Sequence, residues 1–148
     1  MRKYYLLLLI VILNSCSNNE SELNDAQTQA LLGGRWNWVQ STTQSNSTPI
    51  TPAIVNKSRV LAFSGTSYKE YENGTLISNR TFFVVKKPSI YGGEKNMFVF
   101  KNAYSSTSKS SIFRATGESS FEIIGKKLYI REEFANGIIE EYDRVLEY

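Results

Sequence analysis

The amino-acid sequence contains no histidine, and Cys16 is the single cysteine among its 148 residues. Without histidine, the chain lacks the usual general base, the commonest metal ligand and any Ser–His pair. A single cysteine cannot form an internal disulfide bond, so packing must stabilise the folded part. These absences predict a protein that is not an enzyme and that uses neither a metal nor a cofactor.

Two adjacent acid pairs, Glu132-Glu133 and Glu140-Glu141, come closest to a catalytic pattern. Glycosidases place two carboxylates on either side of one bond. Neighbouring residues of a strand point to opposite faces, so neither pair converges on a substrate. We interpret both pairs as solvated charge.

Long hydrophobic runs are also absent, apart from residues 4–13. This run is too short to span a bilayer, which takes about 20 apolar residues. With Arg2 and Lys3 before it, the run is typical of a secretory signal. Leu13-Asn14-Ser15-Cys16 then resembles a bacterial lipobox.

The lipobox resemblance implies that Cys16 receives a diacylglycerol on its sulfur, becomes the N-terminus and is acylated on its nitrogen. Stable anchoring takes two membrane signals, and three acyl chains exceed that. The predicted partner is therefore a membrane, bound through these chains. The alternative is a free thiol behind a plain signal peptide. Ser17, where Asp would favour the inner membrane, indicates the outer membrane, on its periplasmic face or at the cell surface.

Three segments follow from this interpretation: a signal peptide at residues 1–15, a flexible tether at 16–24 and one folded domain at 25–148. Removal of the signal peptide takes two cations, leaving 15 − 14 = +1 as the net charge. Nucleic-acid-binding domains carry a basic stripe or patch. No nucleic-acid partner is therefore predicted.

The folded segment reads as all-β after one short helix at residues 25–32. Asn73-Gly74 and Asn136-Gly137 are strong two-residue hairpin signals. Eight or nine short strands with regular turns favour a closed antiparallel meander, as a barrel or a sandwich. The predicted strands are 36–39, 59–64, 67–72, 75–86, 97–101, 111–116, 121–124, 127–134 and 138–148.

Three stretches of the chain resemble small lipocalin-like lipoproteins of Gram-negative bacteria. They are LLGGRWNWVQS at 31–41, with its Gly-x-Trp, VLAFSGTSYKEYENGTL at 60–76, and KKLYIREEFANGIIEEYDRV at 126–145, with its Tyr-x-Arg. The resemblance implies a closed barrel of eight antiparallel strands with the helix at one end. It also implies that Trp36 lies at the closed end and that Arg144 covers it.

Alternation along the last strand supports the same placement of Arg144. Glu141 and Asp143 share a face that should be outside, which turns Glu140 and Arg144 inward. A guanidinium over an indole face contributes up to ~2 kcal/mol when desolvated. We therefore expect Arg144 to contact Trp36, and Glu140 either to pair with a cation or to line a polar pocket.

The leading functional hypothesis is binding of a small hydrophobic ligand inside the barrel. The alternative for the apolar residues is that they fill the interior. The alternative for the protein is a non-enzymatic interaction or inhibitor module that contacts another envelope protein. The candidate lining residues are Tyr68, Phe83, Val85, Phe98, Phe100, Ile112, Ile130 and Glu140.

Overall fold

A computed structural model describes residues 25–101 and 118–146 of the chain. Outside these residues lie Cys16, Ile112, the predicted signal peptide and tether, and the predicted strand at 111–116. No helix in the described part is long and apolar enough to cross a membrane.

The described residues form a closed antiparallel barrel in which each strand pairs with the next and β8 pairs with β1. The predicted meander barrel with a short N-terminal helix is thereby confirmed. The elements are α1 (Asp25–Leu32), β1 (Gly34–Thr43), α2 (Pro52–Val55), β2 (Arg59–Ser64), β3 (Ser67–Glu72), β4 (Thr75–Pro88), β5 (Glu94–Lys101), β6 (Ser119–Ile124), β7 (Lys127–Glu132) and β8 (Ile138–Arg144).

The two Asn-Gly pairs form different connections. Asn73 and Gly74 both have positive φ, 49° and 79°, as a two-residue turn between β3 and β4 requires. Asn136 also has a positive φ, but residues 133–137 all lie between β7 and β8. A Cβ on Gly137 would lie 2.5 Å from the Glu132 carbonyl oxygen, so this position requires glycine because the backbone passes too closely.

The β7–β8 connection also buries one acid that the sequence suggested was solvated. Glu132 is 6% exposed, and its Oε2 accepts a hydrogen bond of 2.8 Å from the Ile138 amide. The interpretation as solvated charge is therefore wrong for Glu132, and also for Glu140, which is likewise 6% exposed. A carboxylate at the end of a strand can be buried without an unpaired polar group when it accepts a backbone hydrogen bond.

Strand β6 continues the sheet from β5 and spans Ser119–Ile124, two residues more than the predicted strand 121–124. β5 and β6 pair over three residues, from Asn96 opposite Phe121 to Phe98 opposite Ser119. These pairs link β5 directly to β6, so the closed sheet does not require the predicted strand at 111–116.

At one end of the barrel, the C-terminus of α1 is fixed by Trp36 and Arg144. Trp36 is fully buried and donates its indole N–H to the Leu32 carbonyl at 2.7 Å. The Arg144 Cζ lies 4.2 Å from the Trp36 ring centroid. The same guanidinium donates to the carbonyls of Leu31, at 2.5 Å, and Gly33, at 2.9 Å. The expected contact between Arg144 and Trp36 is thus present, and it satisfies carbonyls at the helix end.

Replacing this arginine should loosen the helix end. We expect Arg144→Ala to lower the free energy of unfolding by about 2 kcal/mol, since it removes two charge-assisted hydrogen bonds and a cation–π contact with the buried Trp36. Urea denaturation measures the change. Arg35→Ala is the matched control, because Arg35 lies over Tyr71 at 5.9 Å on the exposed face. Equal losses in the two variants would contradict the role given to Arg144.

Candidate functional site

Four of the predicted lining residues point into the barrel and pack against one another or against their neighbours. Tyr68 is fully buried, Ile130 is 1% exposed and Phe98 is 4% exposed. Ring centroids of Tyr68 and Phe100 lie 5.3 Å apart, and those of Phe98 and Phe100 lie 6.0 Å apart. These are the separations of aromatic pairs in contact. The side chains themselves therefore occupy the space between these rings, where the sequence predicted a ligand.

Phe83 and Val85 do not line the interior, and this part of the prediction is wrong. Phe82 is fully buried and Val84 is 4% exposed, so the alternate residues of β4 face outward. Phe83 instead lies against Lys101, whose Nζ is 5.0 Å from the ring centroid.

The physical reason is a β-bulge in the β3–β4 hairpin. Glu70 is opposite Ser78, but Tyr71 is opposite Leu76, so Ile77 is extra and the facing of β4 reverses after it. The four apolar residues at 82–85 fit either face, so alternation alone does not reveal the reversal.

Glu140 points into the barrel, as predicted, and forms an ion pair there with Arg59. Its Oε1 lies 2.5 Å from the Arg59 Nη1, and its Oε2 accepts a hydrogen bond of 2.9 Å from the Tyr142 hydroxyl. The Ser41 hydroxyl donates to Oε1 at 3.3 Å. The carboxylate is 6% exposed as a residue, so its charge is balanced within the protein.

Arg59 is the centre of this cluster, and sequence analysis did not identify it. Its guanidinium lies 4.9 Å from the Trp38 ring centroid, and its Nε is 3.6 Å from an oxygen of the fully buried Glu70. Glu70 in turn accepts a hydrogen bond of 3.0 Å from the Tyr68 hydroxyl. Arg59 shares the inward face of β2 with the buried Leu61, and this alternation was the available signal.

Burial and the neighbouring charges shift the pKa values of the residues in this cluster. Burial raises the pKa of Glu140, against the opposing pull of Arg59 and of the Tyr142 hydroxyl. Burial also raises the pKa of Tyr142, and the Glu140 charge adds to this shift. For Arg59, burial acts to lower the pKa, but the nearby Glu140, Tyr142 and Glu70 raise it overall. The guanidinium is therefore always charged, and it needs its carboxylate partner.

A double-mutant cycle measures this dependence. Arg59→Met should cost about 3–5 kcal/mol of unfolding free energy, because it leaves Glu140 buried without its cation. We expect Arg59→Met with Glu140→Leu to cost at least about 1 kcal/mol less than the sum of the single changes. Denaturant titrations give the four values. The exposed pair Lys57–Glu72, at 3.1 Å, is the control and should show coupling below about 1 kcal/mol. Additive losses at Arg59 and Glu140 would contradict the description of the cluster.

Outside the barrel, the end of the β4–β5 hairpin folds against β6 and β7. We call residues 86–95 the arm. The Tyr91 hydroxyl at its tip lies 3.0 Å from the Glu132 carbonyl and 2.7 Å from the Phe134 carbonyl, to which it donates. The carboxylate of Glu133 accepts a hydrogen bond of 2.8 Å from the Ser89 hydroxyl and another of 3.0 Å from the Ile90 amide.

These contacts enclose a pocket of about 330 Å³ between the arm and the outer wall of the barrel, which we call the groove. Outward-facing residues of three strands form its floor, and the arm forms its roof. Its size is at the lower end of the range for small-molecule sites. The lining residues are Ser89, Tyr91, Lys95, Ser120, Phe121, Glu122, Ile124, Tyr129, Arg131 and Ile139.

A second pocket, of about 250 Å³, lies between α1 and the strands β4 to β6. It shares Phe121 and Glu122 with the groove, because the pairing of β5 with β6, among the residues that the structure describes, ends at Asn96 opposite Phe121. The side-chain oxygen of Asn96 is buried there without a hydrogen-bond partner. The barrel wall is thus least continuous beside the arm.

Comparison with known proteins found no matching family model, no matching curated protein and no matching solved structure.

Proposed function

We propose that this protein is an envelope lipoprotein, anchored through acylated Cys16, whose barrel domain binds a small molecule with an apolar body. The proposal for the anchor depends on the sequence alone, from Arg2 to the lipobox cysteine. The proposal for binding depends on one structural observation, a 330 Å³ groove with apolar and aromatic walls on a closed barrel.

The groove is a better place for this ligand than the barrel interior. In the described part of the interior, aromatic rings contact one another, and a paired charge cluster is buried beside them. In the groove, Tyr91 and Tyr129 supply aromatic surface, and Ile124 and Ile139 supply aliphatic surface. Ligand sites are mostly apolar with a few polar groups that fix orientation.

Native mass spectrometry of the protein extracted from its own host membranes tests both halves of this proposal. We expect a chain that begins at Cys16 and carries acyl chains, with an additional small mass that dissociates on collisional activation. Cys16→Ser is the control and should leave the protein folded but free of the membrane.

Each half fails separately in this measurement. A chain with an unmodified Cys16 thiol would contradict the anchor and leave binding to be judged from the second mass. An acylated chain with no additional mass would contradict ligand carriage and leave the anchor supported.

A second candidate, docking of another envelope protein, is favoured by exposed apolar side chains around the arm. Ile90 is 59% exposed, Ile124 is 58% exposed and Phe134 is 42% exposed. Apolar side chains grouped on a surface are typical of interaction sites. The same native spectrum separates the two candidates, because a protein partner adds a mass of protein size.

A further inference from the structure

We propose that the groove selects small carboxylates with an apolar body, and that Lys95 binds the carboxylate. This inference builds on the proposed small-molecule function and adds the charge of the ligand and the residue that recognises it. It concerns the outer wall of the barrel, under the arm, and not the interior.

The lining of the groove combines apolar residues with an unbalanced charge. Of its lining residues, Lys95 and Arg131 are basic and Glu122 is acidic, so the charge facing the groove is positive by one. An anionic ligand would therefore be favoured over a neutral one of the same shape.

Lys95 is the cation available to a ligand. It is exposed on the outer face of β5, and the described residues offer it no ion-pair partner within salt-bridge distance. Three other lysines of the described surface do have carboxylate partners: Lys57 pairs with Glu72, Lys87 with Glu118, and Lys127 with Glu141 and Asp143. Glu122, the acidic residue of the lining, is not within salt-bridge distance of Lys95, which leaves the Lys95 ammonium available to a bound carboxylate.

Arg131 contributes charge from a fixed position in the wall. Its Cζ lies 4.6 Å from the ring centroid of Tyr91, so the guanidinium stacks on the arm. Ser120 is opposite Met97 on one side and Arg131 on the other, which places Arg131 two strands, about 10 Å, from β5. Lys95 and Arg131 thus lie on different strands of the groove, and only Arg131 is stacked on a ring of the arm.

The outer wall beneath the arm is already shielded from water. Met97 and Ser120 face outward by alternation, yet they are only 1% and 6% exposed. An ion pair made beside such a surface is screened less than one in open solvent. The apolar floor therefore strengthens the interaction that the lysine makes.

Octanoate and octanol provide the matched probes, because they share an eight-carbon body and differ in the charged head. The measurement is isothermal titration at neutral pH of the full chain carrying Cys16→Ser, so that no acyl chain competes for the groove. We expect octanoate to bind at least about fivefold more tightly than octanol. Lys95→Gln should abolish this preference, so that octanoate and octanol bind to the variant with equal affinity.

Lys101→Gln is the control, since Lys101 is an exposed cation on the same outer face of β5, six residues away. It should keep the preference for octanoate. Equal affinities for the two probes in the unsubstituted groove would overturn the inference while the proposed small-molecule function stands. A preference that survives Lys95→Gln would also overturn it. If neither probe binds, both the inference and the proposed apolar-ligand function are contradicted.

Discussion

The narrow interior of an eight-stranded barrel is the constraint on which the rest of this structure depends. Such a barrel is just wide enough for side chains to fill or for one small ligand to enter. Here Phe82, Phe98 and Tyr68 occupy one part of it at ring-contact distances, and the Arg59–Glu140 pair occupies another. Side chains thus contact one another across the described part of the interior, and for this reason the ligand site proposed above is the groove under the arm.

The buried charges around Arg59 and Glu140 disfavour binding of an apolar ligand inside the barrel. A buried charge is tolerated when its partner and its hydrogen bonds are fixed, and removing one member is costly. The Arg59 guanidinium contacts Glu140, Glu70 and the ring face of Trp38. Displacing either carboxylate would therefore leave a buried charge without its partner. The outer wall has no such requirement, because its charges are at the surface.

Local patterns predicted the elements whose signals are local. The Asn73-Gly74 turn follows from its turn residues, and the inward face of β8 with Glu140 follows from alternation; the short helix at Asp25–Leu32 was also predicted. The predicted inward orientation of Phe83 was wrong because one extra residue in β4 reverses the alternation of inward and outward side chains. The segment is apolar on both faces, so the sequence does not show the reversal. Neither the arm nor the partner of Glu140 was predictable, since both depend on contacts between distant strands.

Isoleucine methyl NMR tests most directly whether the ligand site lies outside the barrel. Ile124 and Ile139 line the groove, whereas Ile130 is 1% exposed in the interior. Titration of the methyl-labelled protein with octanoate should shift the Ile124 and Ile139 signals and leave Ile130 unchanged. A shift of Ile130 at the lowest ligand concentrations, with Ile124 and Ile139 unchanged, would contradict the account.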